Sequence, residues 1–416
     1  MERSPGWRTD KEKNCMNVLF LTLFNFQTLS DRNIYTDLLR EFVKDGHYVY
    51  AVSPVERKEK KKTHLIKEDH ATILRLRTGN MQKTNIVEKG ISTLTVDTLF
   101  KAGINKYFKD VKFDLILYST PPITLVETIK YVKKRDHAFT YLLLKDIFPQ
   151  NAVDVGMLST TGVKGVLYNY FRAKEKELYQ ISDKIGCMSE KNKEYVLIHN
   201  PEIMESRVEV CPNSFDVIDK SVDPETRNAI REKYEIPLDK KVFIYGGNLG
   251  KPQCIPFIIA CLRKCSRMED VMFLIIGNGT EYGTLEKYVR ENPGNVKLLR
   301  FLPKEEYDTL VGACDVGMIF LDYRFTIPNF PSRLLSYMQA KIPVLAATDV
   351  NTDIRQVIVE GGFGWWCESR STGAFYKTVK QILEEGTEGM AEKEWAYLCD
   401  HYSTAISYEI IKKSIQ

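Results

Sequence analysis

The sequence predicts an α/β fold in which two Rossmann-like, doubly wound domains face one another across a cleft. The first observation is that short apolar runs alternate with amphipathic helical stretches along nearly the whole chain, which is typical of parallel sheets with crossover helices. The second is that a polar stretch near residue 217 interrupts this alternation, which then restarts. Because such sheets bind ligands at the carboxyl ends of their strands, we expect those ends to line the cleft.

Bulk composition is that of an ordinary globular protein. The chain has 416 residues, 44% of them hydrophobic, and a net charge of +4, which is too small to indicate nucleic-acid binding. Its nine cysteines are scattered without a Cys-x-x-Cys pair, which argues against a disulfide scaffold or a zinc ribbon and favours a reducing cytosol. No apolar run reaches the roughly 18 residues that cross a bilayer, and the charged start does not resemble a signal peptide. We therefore expect a cytoplasmic protein.

Elements of the first domain follow one another as strand, helix and strand. A helix is predicted where one face carries the apolar residues of IYTDLLREFVKDGH, and Gly46 ends it. A lysine-rich loop follows the second strand. The predicted strands lie in NVLFLTLF (17–24), YVYAVSP (48–54), FDLILYSTPP (113–122), HAFTYLLLKDIFPQ (137–150), ISDKIGCMSE (181–190) and VEVCPNSFD (208–216).

The second domain repeats the same alternation after a polar linker that carries one helix. Its predicted strands lie in VFIYGG (242–247), VMFLIIGNG (271–279), VKLLRFL (296–302), CDVGMIFL (314–321) and PVLAAT (343–348). The domain limits that follow are a tail over 1–15, a first domain over 16–217, a second over 218–391, and a C-terminal helix over 392–416 that crosses back to the first domain.

Two glycine turns follow strands of the second domain. YGGNLGKPQ (245–253) places Gly247 at a strand end and Lys251 just beyond it, while IIGNGTE (275–281) places Gly277 and Gly279 around Asn278. Glycines let backbone N–H groups approach an anion, and a lysine adds a mobile charge. Each turn alone is a weak signal, and a tight strand-to-helix connection explains it better than an anion site does.

A third stretch, FTIPNFPSRLLSYMQAKIPVLAATD (325–349), places prolines and polar residues directly before a short helix. The backbone amides around Asn329 to Ser332 are expected to point from the helix N-terminus, with Arg333 adding charge. Three such stretches on strand ends of one domain favour a phosphate-bearing ligand more strongly than any one of them.

These segments, in this order and spacing, resemble the retaining glycosyltransferases of the GT-B fold, family 4, and among them the bacterial subgroup that builds capsule and O-antigen polysaccharides. The resemblance covers nearly the whole chain from Met16. It rests on DRNIYTDLLREFVKDGHYVYAVSP, LLKDIFPQNAVDVGML, SDKIGCMSE, CPNSFD and NFPSRLLSYMQAKIPVLAATD.

The resemblance implies a hexosyl- or N-acetylhexosaminyltransferase that takes a nucleotide sugar, UDP being the expected nucleotide, and adds the sugar with retention to a polyprenyl-diphosphate-linked saccharide. Lys251 corresponds to the lysine that neutralises the donor diphosphate. Asn248 stands where the family usually has an arginine, and Pro328 and Ser336 stand where it has two glutamates. Those departures leave the sugar and ribose contacts open, although Asn329 and the Ser336 hydroxyl could supply them.

A set of site residues follows from the resemblance. We expect Asp146, Lys251 and Arg333 in catalytic roles; for Asp146 the alternative is an N-cap for the turn that follows it. The donor-binding residues are expected to be Gly247, Asn248, Lys251, Gln253, Gly277, Asn278, Phe301, Leu302, Asn329, Phe330, Ser332, Arg333 and Ser336.

Neither a metal ion nor another cofactor is expected. The chain has no Asp-x-Asp, the motif with which the other large glycosyltransferase fold holds a divalent ion. Lys251, Arg333 and a helix N-terminus are expected to stabilise the departing diphosphate instead.

Basic stretches in the first domain suggest a further partner. ERKEKKKTHLIKE (56–68), KYVKKRDH (130–137) and VDTLFKAGINKYFKD (96–110) concentrate lysines, and the last interleaves them with Phe100, Tyr107 and Phe108. Two interpretations remain open: solvated loops and helix faces, or peripheral contact with anionic lipid on the inner face of the cell membrane.

Two other functions fit the same fold. One is a nucleotide-sugar epimerase, which would need no acceptor. The other is a non-catalytic, glycosyltransferase-like partner subunit, in which the missing glutamates mark lost activity.

Overall fold

A computed structural model describes residues 15–81 and 86–416, so the expected tail over 1–15 lies, apart from Cys15, outside the described residues. The chain forms two compact units. The first comprises the chain up to Pro149, Leu158–Asp216 and Thr404–Gln416, and the second comprises Gln150–Met157 and Val217–Ser403.

The first unit is built on an eight-stranded sheet in the order β3-β4-β2-β1-β5-β6-β7-β8. Neighbouring strands are parallel except for β3, which is antiparallel to β4. The strands are β1 (Asn17–Leu21), β2 (Tyr48–Glu56), β3 (His64–Glu68), β4 (Ala71–Thr78), β5 (Leu115–Ser119), β6 (Phe139–Leu144), β7 (Lys184–Cys187) and β8 (Val208–Val210). The helices are α1 (Ile34–Lys44), α2 (Ile86–Tyr107), α3 (Val126–Asp136), α5 (Gly162–Ile181), α6 (Glu190–His199) and α15 (Thr404–Ile415), with α4 (Gln150–Asp154) grouped in the second unit.

The region after β2 differs from its prediction as a lysine-rich loop. Only residues around Lys60–Lys62 form the loop, and the chain then continues into the β3–β4 pair, whose strands mix charged and apolar side chains without regular alternation. Periodicity was obscured there because β3 lies at the sheet edge and exposes its charged residues.

Two helices replace the single one expected over 392–416. Helix α14 (Met390–His401) ends before Tyr402, and α15 begins at Thr404, whose N–H donates to the Phe215 carbonyl at 3.1 Å. Helix α15 belongs to the first unit, where Tyr408 packs edge-on against Phe42 of α1 with ring centroids 4.9 Å apart. Tyr408 also lies 3.2 Å from Nε2 of His47, so this histidine has a structural role.

The second unit is built on a six-stranded, wholly parallel sheet in the order β11-β10-β9-β12-β13-β14. Its strands are β9 (Lys241–Asn248), β10 (Val271–Asn278), β11 (Val296–Leu299), β12 (Val316–Phe320), β13 (Val344–Thr348) and β14 (Gly364–Glu368). Its other helices are α7 (Pro224–Lys233), α8 (Ile255–Cys265), α9 (Tyr282–Glu291), α10 (Lys304–Gly312), α11 (Arg333–Ala340), α12 (Ile354–Glu360) and α13 (Thr372–Glu385).

Central strands of the second unit are buried on both faces, which explains their continuous apolar runs. Residues 271–277 of β10 and all of β12 and β13 are buried. Helices α8 and α13 pack against one another on this sheet, and their apolar residues join its core. The strands can therefore end in glycine and polar residues at one edge without loss of the core, and that edge carries the candidate site.

Two of the three basic stretches in the first unit turn out to serve the fold. Phe100 and Phe108 of the 96–110 stretch are buried, and Phe108 packs against Phe113, so these two rings do not make the membrane contact that the sequence had left open. In the 130–137 stretch, Lys133 lies 2.7 Å from Asp183, and Lys130 pairs with glutamates. Of the described helices, none is long and apolar enough to span a bilayer.

Candidate functional site

The two glycine turns lie side by side at the carboxyl ends of β9 and β10, where Gly247 is opposite Gly277. The backbones approach so closely that a Cβ on Gly277 would lie 1.9 Å from the Gly247 carbonyl oxygen. A Cβ on Gly279 would lie 2.2 Å from the Leu249 carbonyl oxygen. Glycine is therefore required by packing, and the contact holds the two turns in one surface.

Arg333 joins these turns from the third predicted stretch. It is the first residue of α11, and a Cβ on Gly247 would lie 1.8 Å from its Nη2. Gly247 also has a φ of +146°, which side-chain-bearing residues rarely adopt. The structure thus brings together three stretches that are separated by about thirty to fifty residues each in the sequence, and it places the guanidinium directly over the Gly247 turn.

Tyrosines hold the Arg333 guanidinium in place. It lies over the Tyr245 ring at 5.0 Å, and its Nη1 donates to the Tyr307 hydroxyl at 3.4 Å. Burial raises the pKa of Tyr307 and the pKa of Tyr245, so both phenols stay neutral at physiological pH. Across residues 15–81 and 86–416, no carboxylate forms an ion pair with Arg333. The tyrosines therefore position the guanidinium without neutralising its charge.

The turn between β9 and α8 is organised by Gln253. Its Oε1 accepts from Asn248 Nδ2 at 3.0 Å and from the Gly250 N–H at 3.3 Å. Lys251 is exposed and begins a short 3₁₀ helix that ends at Gln253. Asn248 therefore uses its amide to shape the turn, and within the described chain Lys251 has no carboxylate ion-pair partner.

In the stretch before α11, some groups that were expected to face a ligand are instead hydrogen-bonded within the chain or buried. The Asn329 N–H donates to the Ile327 carbonyl at 3.1 Å, so this amide does not face a ligand as expected. Phe330 is buried, and its ring centroid lies 5.9 Å from that of Tyr402, which makes it a core residue. Pro328 is also buried, whereas Ser332 is exposed and Ser336 is half-buried on α11.

An exposed aromatic residue follows the neighbouring strand. Phe301 comes two residues after the end of β11 and is 79% exposed, while Leu302 is half-buried. Since β11 lies next to β10 in the sheet, the Phe301 ring belongs to the same edge as the glycine turns.

Acidic residues that the sequence did not single out anchor the 325–329 stretch. Asp154 accepts from the N–H of Thr326 at 2.8 Å and from its hydroxyl at 2.9 Å. Asp349, at the end of β13, accepts from the N–H groups of Asn351 and Thr352 at 2.8 and 3.1 Å. Asn351 in turn donates to the Phe325 carbonyl at 2.6 Å. Burial raises the pKa of Asp349 to about 6.

No local pattern could have revealed Asp154, because it lies 172 residues before its partner Thr326. Tyr307 was missed for the same reason, since it sits on α10 and reaches Arg333 only in the folded chain. Asp349 stood at the end of the quoted 325–349 stretch, and its place after a buried strand was the one available signal.

Asp146 belongs to the first unit, just after β6. Its carbonyl accepts from the Thr120 hydroxyl at 3.2 Å. A turn over residues 148–149 follows Asp146, and helix α4 begins at Gln150. Among the described residues, no group of three or more His, Cys, Asp and Glu side chains is arranged to hold a metal ion.

Known structures identify the fold as GT-B. Sucrose-phosphate synthase of Thermosynechococcus elongatus matches with a TM-score of 0.72 over 96% of this chain and 98% of that one, at 13% identity. The UDP complex of Alr3699/HepE of Anabaena matches with a TM-score of 0.68 over 96% of this chain and 99% of that one, also at 13% identity.

Sequence comparisons point to glycosyltransferases with this fold. Residues 226–396 match the family model of glycosyl transferases group 1. The probable glycosyltransferase WbjE of Pseudomonas aeruginosa is 24% identical over 79% of this chain and 80% of that protein. The putative colanic acid biosynthesis glycosyl transferase WcaI of Escherichia coli (strain K12) is 30% identical over 43% of each.

Proposed function

We propose that this protein transfers a hexosyl or N-acetylhexosaminyl group, with retention, from a UDP-sugar to a lipid-linked saccharide during cell-surface polysaccharide synthesis. The match of residues 226–396 to glycosyl transferases group 1 supports the reaction class. The UDP bound by HepE supports the nucleotide, and the colanic acid pathway in the name of WcaI supports the process.

One observation carries the proposal: Arg333 presents a guanidinium over the Gly247 turn without a carboxylate partner in the described chain. A diphosphate suits this arrangement, because a guanidinium can donate two parallel hydrogen bonds to phosphate oxygens. The exposed Lys251 supplies a second charge on the same turn. The ring of Phe301 offers an exposed face on which a uracil base could stack.

The mechanism follows from where charge develops. As the bond from the sugar to the diphosphate breaks, negative charge grows on the departing UDP, and Arg333 and Lys251 stabilise it. In a front-face retaining reaction the departing phosphate itself accepts the proton of the acceptor hydroxyl. Asp146 then serves to position the acceptor rather than to act as an obligatory base.

The two missing glutamates require substitute contacts. The side-chain amide of Asn329 is the proposed sugar contact. Its backbone N–H is not available for this role, because it donates to the Ile327 carbonyl. The Ser336 hydroxyl, half-buried on α11, is the proposed ribose contact. We further propose that no metal ion takes part, since arginine and lysine provide the positive charge that a divalent ion would supply.

The acceptor is proposed to be a polyprenyl-diphosphate-linked saccharide, met at the inner face of the cell membrane. The exposed Lys60, Lys61 and Lys62 of the first unit are the basic residues proposed for such contact.

A thermal-shift panel of UDP, GDP, ADP and TDP tests the donor assignment on the purified chain, with and without EDTA. UDP is expected to give the largest rise in melting temperature, unchanged by EDTA. Slow hydrolysis of UDP-sugars, followed by UDP release, then narrows the sugar. A protein that neither binds UDP nor hydrolyses any UDP-sugar would contradict the proposal, and a response lost with EDTA would contradict metal independence.

A further inference from the structure

Helix α5 of the first unit exposes an apolar face that its own fold leaves uncovered. Val163 is 90% exposed, Val166 72%, Leu167 45% and Tyr170 40%. Their spacing of three, four and seven residues places all four side chains on one side of the helix. We call these four residues the α5 apolar face. Scattered apolar residues are normal on surfaces, but a continuous stripe of this kind indicates a binding surface.

The rest of α5 shows that the face is not a by-product of a loosely packed helix. Leu178 and Tyr179, in its last two turns, are buried, and Gly165 packs so closely that a Cβ would lie 2.7 Å from the Thr160 carbonyl oxygen. Helix α3 packs against α5 as well. The helix is thus held by the unit, and it presents the apolar face outward.

Charge around this face favours an anionic partner. Residues 162–171 contain no Asp or Glu and include the exposed Lys164. The exposed Lys60–Lys62 loop follows the carboxyl end of β2, and the chain that leads to α5 leaves the sheet at the carboxyl end of β6. Three strand spacings separate β2 from β6, which is about 15 Å.

A bilayer fits this combination better than a second copy of the chain does. Four side chains cannot supply the roughly 800 Å² per partner that a stable dimer buries. A lipid interface needs only a short apolar face inserted among head groups and basic residues nearby, and Tyr170 is suited to the head-group level.

We propose that the α5 apolar face inserts into an anionic bilayer while Lys60–Lys62 contact its head groups. The proposal rests on the proposed function in one respect, which is that a lipid-linked acceptor must be reached at a membrane. It differs from the sequence-based expectation in its location, since Phe100 and Phe108 of the 96–110 stretch are in the core.

Flotation of the full chain with vesicles of phosphatidylethanolamine and phosphatidylglycerol tests the proposal. The double substitution Val166→Ser, Leu167→Ser is expected to weaken vesicle binding by about tenfold or more, because it removes two inserted side chains. Changing Lys60, Lys61 and Lys62 to Gln is expected to weaken binding about 10- to 100-fold at low salt, and vesicles of phosphatidylcholine alone should bind weakly.

The matched control is Leu94→Ser with Val359→Ser, two exposed apolar residues on α2 and α12 that should leave vesicle binding unchanged. UDP-induced thermal shifts should be the same in all variants, which separates this proposal from the donor assignment. The proposal is overturned if the wild type does not float with anionic vesicles or if the α5 variant floats equally. It is also overturned if light scattering shows that the α5 substitutions convert a dimer into a monomer, since a second copy would then cover the face.

Discussion

The two sheets end in carboxyl edges of different character. In the second unit, glycines bring backbones within contact and leave a guanidinium over the turns, which suits a small, highly charged ligand. In the first unit, the corresponding edge carries the Lys60–Lys62 loop and Asp146, and α5 of the same unit exposes an apolar face. Related architectures can therefore bind different ligands through the residues that follow each strand. Those loop residues can vary, whereas the closely packed sheet core cannot.

The largest expected effect comes from a core substitution in the first unit, compared with a surface substitution beside it. Phe108→Ala should lower the free energy of unfolding by about 3–5 kcal/mol, because a large cavity opens beside Tyr50 and Phe113. Urea denaturation followed by circular dichroism measures it. The exposed neighbour Lys106→Ala is the control and should change little. A small decrease in the free energy of unfolding for Phe108→Ala would contradict the assignment of Phe108 to the core.

Backbone contact in the second unit is tested by Gly247→Ala. The new methyl would collide with the Arg333 guanidinium and would require an unfavourable φ, so UDP affinity should fall by about 100-fold. Calorimetric titration with UDP measures the loss. Gly283→Ala is the matched control, because a Cβ there meets nothing within 4 Å. Unchanged affinity in a folded Gly247→Ala protein would rule out the glycine turn as the donor site.

Asp349 provides a pH-dependent comparison. The pKa of Asp349 in the folded protein is about 6, above its ordinary value of 3.8, so the folded state binds this proton more tightly than the unfolded state does. The protonated carboxyl therefore stabilises the fold below pH 4, and this contribution is lost as the pH rises through 6. From pH 4 to pH 6 the free energy of unfolding should fall by roughly 2–3 kcal/mol on this account. Asp349→Asn keeps an oxygen to accept from Asn351 and Thr352, and it should abolish that component of the pH dependence. An identical urea-midpoint profile from pH 4 to pH 7 in both proteins would contradict the shift.

The smallest expected effects concern single charges. Arg333→Ala and Lys251→Ala should each weaken UDP binding or turnover by about 1–3 kcal/mol, the scale of losing a charged hydrogen-bond partner. Arg290→Ala, which removes an exposed charge from α9, is the control and should bind UDP normally. Wild-type kinetics in either site variant would exclude that residue from the donor site.

Much of the architecture was visible in local patterns. Apolar runs predicted both ends of β9, β10, β12 and β13 to within two residues. Strands buried on both faces are recognisable in this way because nearly all of their residues must be apolar. The β3–β4 pair escaped notice, since an edge strand mixes charged and apolar residues. The break between α14 and α15 also escaped, because helical periodicity continues across it.

The site was only partly accessible in the same way. Gly247, Gly277, Lys251 and Arg333 were each selected from short motifs, and the structure brings three of them together in direct backbone or side-chain contact. Phe330 was selected by its position in a motif, yet it packs in the core against Tyr402. A motif records which residues are near in the chain and says little about which way a side chain turns.

Residue order alone was sufficient for the fold class, the two-part organisation and the glycine-rich strand ends, because periodicity and backbone freedom are local properties. Folding was needed to give Arg333 its tyrosine partners, to join Asp154 to Thr326 across 172 residues, and to leave the α5 apolar face uncovered. Those features depend on contacts between residues that are distant in the sequence. Burial and charge pairing arise from such contacts, so local patterns do not reveal them.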